Sequence, residues 1–126
     1  DDTTIARVLT RLYDLGIKPD WWKLEPQKSA EAWRAIADVI VARDPWCRGI
    51  VMLGLEAPEA ELEEAFRAAG ATPLVRGFAV GRTIFADAAE RWLGGTMTDE
   101  EAVADMAARF ERLVAAWRRV RWPAQT

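Results

Sequence analysis

The sequence predicts an α/β fold built on parallel strands. Two observations carry this. Helix-period and strand-like segments alternate along the chain in the order α-β-α-β-α-β-α-α. The strand segments recur near Trp21, Ile50 and Val75, which is the spacing of βα units. Alternation of this kind implies right-handed crossovers within one parallel sheet.

Each element has its own signal. Ile5, Val8, Leu9, Leu12 and Leu15 recur at helical spacing, with Thr3 or Thr4 as the N-cap and Gly16 as the stop. Residues 21–25, "WWKLE", are too few for a helix and lie between Pro19 and Pro26, so they read as a strand. Ser29 caps a second helix carried by Trp33, Ile36, Ala37, Ile40 and Val41, and Asp44-Pro45 breaks it. Residues 49–57, "GIVMLGLEA", form a nearly continuous apolar run, the pattern of a strand buried on both faces. Pro58 fits the first turn of "PEAELEEAFRAAG", with acidic residues near its start and Gly70 at its end.

A third strand is expected over residues 74–80, followed by a glycine and a short helix over 86–93. Thr98 and Glu101 form a capping box for the last helix. Its apolar stripe reads Val103, Met106, Phe110, Leu113, Val114 and Trp117, and the tail after Trp122 is expected to fray.

A three-stranded parallel sheet has two open edges, and runs this apolar leave one face without a cover. The sequence also opens on a helix with no strand before it. Both features suit the C-terminal part of a (β/α)8 TIM barrel, about strands six to eight with their helices. Residues 1–126 are thus expected to form a single partial barrel domain of a longer chain. A small three-layer α/β domain and a swapped or paired half-barrel are the other readings.

Composition removes several function classes. Apolar residues make up 51% and charged residues 29%, a soluble globular balance. A net charge of −3 argues against nucleic-acid binding, which needs a basic surface. No apolar run approaches the ~20 residues of a membrane span, and Asp1-Asp2 stand where a signal peptide would be basic. Cys47 is the one cysteine, so no internal disulfide forms and a cytoplasmic setting is expected. Histidine is absent, which removes Ser-His-Asp triads, histidine bases and the commonest zinc ligand. No metal and no cofactor is expected. Chemistry must run on Lys, Arg, Asp, Glu, Tyr, Ser, Thr or the backbone.

Lys23 stands out within "PDWWKLEP". Strand alternation puts Trp21, Lys23 and Glu25 on one face and Trp22 and Leu24 on the other. An inward lysine near the C-terminal end of a barrel strand lies at the catalytic rim. Seclusion favours the neutral amine, which attacks a carbonyl to form a Schiff base. The competing reading is a lysine that snorkels to the rim or pairs with Glu25.

"LGLEAP" and "VGRTIF" place Gly54 and Gly81 at strand ends, where glycine lets backbone approach a ligand and exposes N–H groups. The segment after Gly81 leads into a helix N-terminus, which favours an anion, and Arg82 can add a bidentate contact to phosphate oxygens. Plain turn glycines and a solvated arginine are the alternative. Glu25 and Glu56 are carboxylates that no spacing selects as acid or base, and Cys47 is expected to be a buried structural thiol.

At "LYDLGIKPDWWKLEP", "GIVMLGLEAP" and "VRGFAVGRTIF" the chain resembles the C-terminal aldolase-like domain of bacterial 5-dehydro-2-deoxygluconokinases, of myo-inositol catabolism. That domain is similar to class I aldolases of the tagatose-bisphosphate type, and the resemblance spans roughly residues 3–121. It implies a (β/α)8 barrel with Lys23 as the Schiff-base residue on strand six. It also implies phosphate contacts from Gly54 and Leu55 after strand seven, and from Gly81 and Arg82 after strand eight. Those aldolases tend to carry a small hydroxyl residue where Gly54 stands, and strands one to five have no counterpart here. The partners implied are a phosphorylated sugar or triose phosphate, an N-terminal kinase domain and the missing barrel half. A non-catalytic sugar-phosphate sensor or scaffold is the rival reading, and a homo-oligomer paired through open strand edges is a third.

Overall fold

The computed structural model describes residues 1–54 and 56–122; Leu55 and the tail expected to fray after Trp122 lie outside the described residues. The described elements follow the expected order: α1 (Thr4–Asp14), β1 (Trp21–Leu24), α2 (Ala30–Arg43), β2 (Gly49–Leu53), α3 (Glu59–Ala69), β3 (Val75–Ala79), α4 (Arg82–Leu93) and α5 (Asp99–Arg121). The strands form one parallel sheet in the order β1-β2-β3. The fold is therefore α/β, with a small parallel sheet and helical connections.

Local chemistry explains the boundaries. Ser29 Oγ accepts from the Ala32 N–H at 3.1 Å, which satisfies one of the orphan donors that open α2. At α5 the cap is reciprocal: Thr98 Oγ1 accepts from the Glu101 N–H, and Glu101 accepts from the Thr98 N–H. Thr3 is the N-cap of α1, but its hydroxyl turns back to donate to Asp1 Oδ1 rather than capping the helix. Gly16 follows that helix at φ +81°, a conformation that glycine adopts without a Cβ penalty.

Register decides which side chains share a face. Trp22 pairs with Ile50, and Ile50 with Val75; next in line Lys23 pairs with Val51, and Val51 with Gly77. Arg76 is thus an extra residue on β3, a bulge that returns Phe78 to the side of Met52. Trp22, Ile50, Met52 and Val75 join one core with Leu9 and Tyr13 of α1, Trp33, Ile36 and Ile40 of α2, Leu62 and Phe66 of α3, and Leu113 and Trp117 of α5. Burying each large apolar side chain is worth about 1.5–3 kcal/mol.

The other face, with Trp21, Lys23, Val51, Leu53, Gly77 and Ala79, contributes no buried residue to this core. This corrects the reading of residues 49–57 as a strand buried on both sides. The strand is shorter, and Val51 and Leu53 remain partly accessible because the core helices all lie across one face.

Several stripe residues are also corrected. Val8, Leu15, Val41, Val103 and Phe110 are exposed. On α1 the buried positions are Ala6, Leu9 and Tyr13, so Val8 points to the opposite side and Leu15 lies past the helix end. Small residues such as Ala32, Ala102 and Ala116 fill contact positions instead, since they let backbones approach. No described helix is long and apolar enough to cross a membrane.

Candidate active site

The parallel strands present their C-terminal ends on one side of the sheet, and there the sequence-predicted residues converge. Lys23, near the end of β1, lines a cleft of about 570 Å³ together with Gly54 beyond β2 and Gly81 and Arg82 beyond β3. The structure brings these four residues together. Leu55, expected beside them, lies outside the described residues.

Lys23 stands on the face that the helices leave open, because Trp22 is drawn into the core. Trp22 Nε1 donates to Tyr13 Oη at 2.8 Å, and the two rings meet edge to face at 5.6 Å. Alternation then turns Lys23 away from the helices. The hollow expected around it is incomplete: Lys23 is exposed, since three strands supply no wall opposite it. Among the described residues it forms no ion pair, so pairing with Glu25 does not describe its place.

Gly54 acts by its size. A Cβ there would stand 2.6 Å from Val80 Cγ1, closer than any stable contact, so only glycine lets the end of β2 pass the end of β3. The expectation that its N–H faces a ligand is corrected. That N–H donates to the Ala79 carbonyl at 3.2 Å and extends the ladder by one bond.

Gly81 is the N-cap of α4, and its carbonyl accepts from the N–H groups of Ile84 and Phe85 at 2.8 and 3.1 Å. The helix opens at Arg82, not at residue 86, because these bonds continue the helix back to the strand. Among the described residues the Arg82 and Thr83 N–H groups have no backbone acceptor. They are the open donors of a helix start whose first turn holds no acidic residue. Thr83 Oγ1 donates to the Ala57 carbonyl at 3.3 Å, which ties the start of α4 to the loop after β2.

Across the mouth of the cleft, Glu56 forms an ion pair with Arg82. Its backbone sits at φ +61°, the left-handed region that non-glycine residues seldom occupy. Among the described residues the cleft therefore combines two basic side chains, Lys23 and Arg82, with the one carboxylate of Glu56. Sequence reasoning left Glu56 unselected, because strand register is what pairs it with Arg82. Glu56 and Arg82 lie three residues beyond Leu53 and Ala79, which are register partners in the sheet. Phe85 of α4, also missed, forms part of the apolar wall.

A family described as "Uncharacterized protein conserved in bacteria (DUF2090)" matches residues 1–121. The chain belongs to this family. No curated protein and no solved structure matches it. In this DUF2090 chain the matched span contains Lys23, Gly54, Glu56, Gly81 and Arg82 alike.

Cys47 of the DUF2090 chain lies at the other end of the sheet, just before β2, and is half-buried rather than fully enclosed. Its Sγ sits 3.7 Å from the Asp20 carbonyl and 3.8 Å from that of Gly49. Burial pushes the thiol up from its ordinary range, the opposite of what a reactive thiolate needs.

Proposed function

We infer that this chain is part of a class I aldolase-like domain that acts on a phosphorylated keto sugar acid such as 5-dehydro-2-deoxyphosphogluconate, in cytoplasmic inositol catabolism. The observation that carries this reading is the meeting of Lys23 with Gly81 and Arg82 in one cleft at the C-terminal ends of parallel strands. That is where (β/α)8 enzymes hold their chemistry and their phosphates. Strands in sequential order, with core helices on one face only, suit a run of about strands six to eight in such a barrel. On this reading the bare face carrying Lys23 is the barrel interior, and the rest of the barrel and a kinase domain belong to the parent protein.

The chemistry follows from the residue types. The Lys23 amine adds to the substrate carbonyl, and loss of water with uptake of a proton leaves an iminium. Cleavage of the carbon–carbon bond sends its electron pair into that iminium, giving an enamine on the triose half and malonate semialdehyde as the released aldehyde. A general base removes the hydroxyl proton as the bond breaks; in this reading the rest of the barrel supplies it. Protonation and hydrolysis of the enamine then free dihydroxyacetone phosphate and restore the amine. Throughout, the N–H groups of Arg82 and Thr83 and the Arg82 guanidinium hold the phosphate.

The exposure of Lys23 favours a second reading, a sugar-phosphate-binding or scaffolding module beside a carbohydrate kinase. Reductive trapping separates the two. The intact gene product is incubated with dihydroxyacetone phosphate and borohydride, then digested and mapped by mass spectrometry. A triose adduct on Lys23 is the expected result. A bare Lys23, beside an active aldolase labelled in parallel, leaves only the binding module.

A further inference from the structure

The ion pair between Glu56 and Arg82 occupies the guanidinium to which the proposed function assigns a phosphate. We propose that Glu56 is an internal competitor for the anion site, holding Arg82 in the empty cleft and giving it up when a phosphorylated ligand binds. This inference rests on the anion-binding reading and adds a regulation of the same site.

Three features of the molecule support it. Both partners are largely accessible, with side chains 68% exposed for Arg82 and 50% for Glu56, so an incoming anion can reach the guanidinium without unpacking the core. Among the described residues Glu56 is the one carboxylate lining the cleft, beside the basic side chains of Lys23 and Arg82. Its backbone also stands in the left-handed region at φ +61°, in a loop anchored on either side. The Gly54 N–H is fixed to the Ala79 carbonyl, and the Ala57 N–H to the Gly54 carbonyl at 3.0 Å. Glu56 thus lies between two residues whose backbone N–H groups are both hydrogen-bonded, Gly54 and Ala57.

The exchange is balanced in kind. A carboxylate offers Arg82 two oxygens and one negative charge, whereas a phosphate monoester offers three oxygens and a larger charge, and it reaches the open Arg82 and Thr83 N–H groups as well. A ligand that meets only the guanidinium gains little over Glu56. One that also reaches the start of α4 displaces it. Glu56 thereby sets the ligand concentration at which the site fills.

The test is calorimetric titration of the intact gene product with inorganic phosphate, using wild type, Glu56→Gln, Arg82→Gln and the double variant. Competition by an accessible ion pair predicts that Glu56→Gln binds phosphate about two- to fivefold more tightly than wild type. In the Arg82→Gln background the same substitution should change affinity far less. If wild type binds phosphate and Glu56→Gln binds equally or more weakly, the competitor role is overturned while the anion site stands. If neither chain binds phosphate, the anion site fails and the competitor falls with it. Both positions are accessible, so each variant is expected to fold, and circular dichroism checks this.

Discussion

Tyr13 Oη accepts a 2.8 Å hydrogen bond from Trp22 Nε1, joining the first helix to the first strand inside the core. One residue further along that strand is Lys23, and its orientation follows from this bond. A tryptophan committed to the helix side commits its neighbour to the open side. The placement of the candidate nucleophile is thus a packing decision made by two aromatic residues.

Tyr13→Phe removes the acceptor but keeps the ring. The buried indole N–H is then left without a partner, which costs about 1–3 kcal/mol. A lowered urea midpoint with an unchanged m-value is the expected outcome. An unchanged midpoint would show that the bond does not hold α1 to β1.

Gly54→Ala forces a methyl group against Val80, with 2.6 Å available. Overpacking of this kind costs about 1–3 kcal/mol. Adding Val80→Ala should restore part of the loss, so that the double variant is more stable than the sum of the two single effects. Thermal unfolding of the four chains measures the coupling.

Lys23→Met is expected to leave stability within about 0.5 kcal/mol of wild type, because the lysine is exposed and makes no ion pair among the described residues. Urea unfolding checks this. A large loss would mean that the lysine serves the fold rather than a ligand.

Stability should fall at both ends of the pH scale, for separate reasons. Hydrogen bonds from Arg112 Nε and Nη2, at 2.9 and 2.8 Å, hold the Glu59 carboxyl below its usual range. A lowered folded value means that the stabilisation is present above about pH 4.3 and is lost as pH falls through the folded value. Glu59→Gln should weaken the acid-side dependence. Burial raises both Tyr13 and Cys47. Their contributions are complete below the unfolded values of about 10 and about 8.5, and are lost as pH rises through the higher folded values. Cys47→Ala should flatten the alkaline limb where the thiol titrates. Urea midpoints measured across the range read both effects.

The element order was legible because local signals agreed with the global fold. Ser29 and the Thr98–Glu101 pair capped the helices they marked, and glycine and proline closed the segments between. Facing was harder to read. Val8 and Val103 carry the right chemistry for a stripe yet point away, since only packing tells which arc of a helix meets the sheet. The one-sided burial of β2 was hidden because an apolar run looks alike whether one face or both are covered.

That Lys23, Gly81 and Arg82 meet in one cleft was legible from their order along βα units. The Glu56–Arg82 pair was not, because it arises from the register of two strands. Nor was the use of the Gly54 N–H in the sheet, which depends on how far the ladder extends past β2. The start of α4 was misplaced for a similar reason. Its first turn, Arg82 to Phe85, carries the strand-favouring residues Thr83, Ile84 and Phe85, so the Gly81 carbonyl bonds that open the helix leave no trace in the pattern.

The central claim is that the Lys23 amine and the start of α4 serve one ligand together. A crystal structure of the intact gene product, reduced with borohydride in the presence of dihydroxyacetone phosphate, tests it most directly. The account predicts continuous density from Lys23 Nζ to the triose, with the phosphate against the Arg82 and Thr83 N–H groups and Glu56 swung away. A bare Lys23 with phosphate bound elsewhere would contradict it.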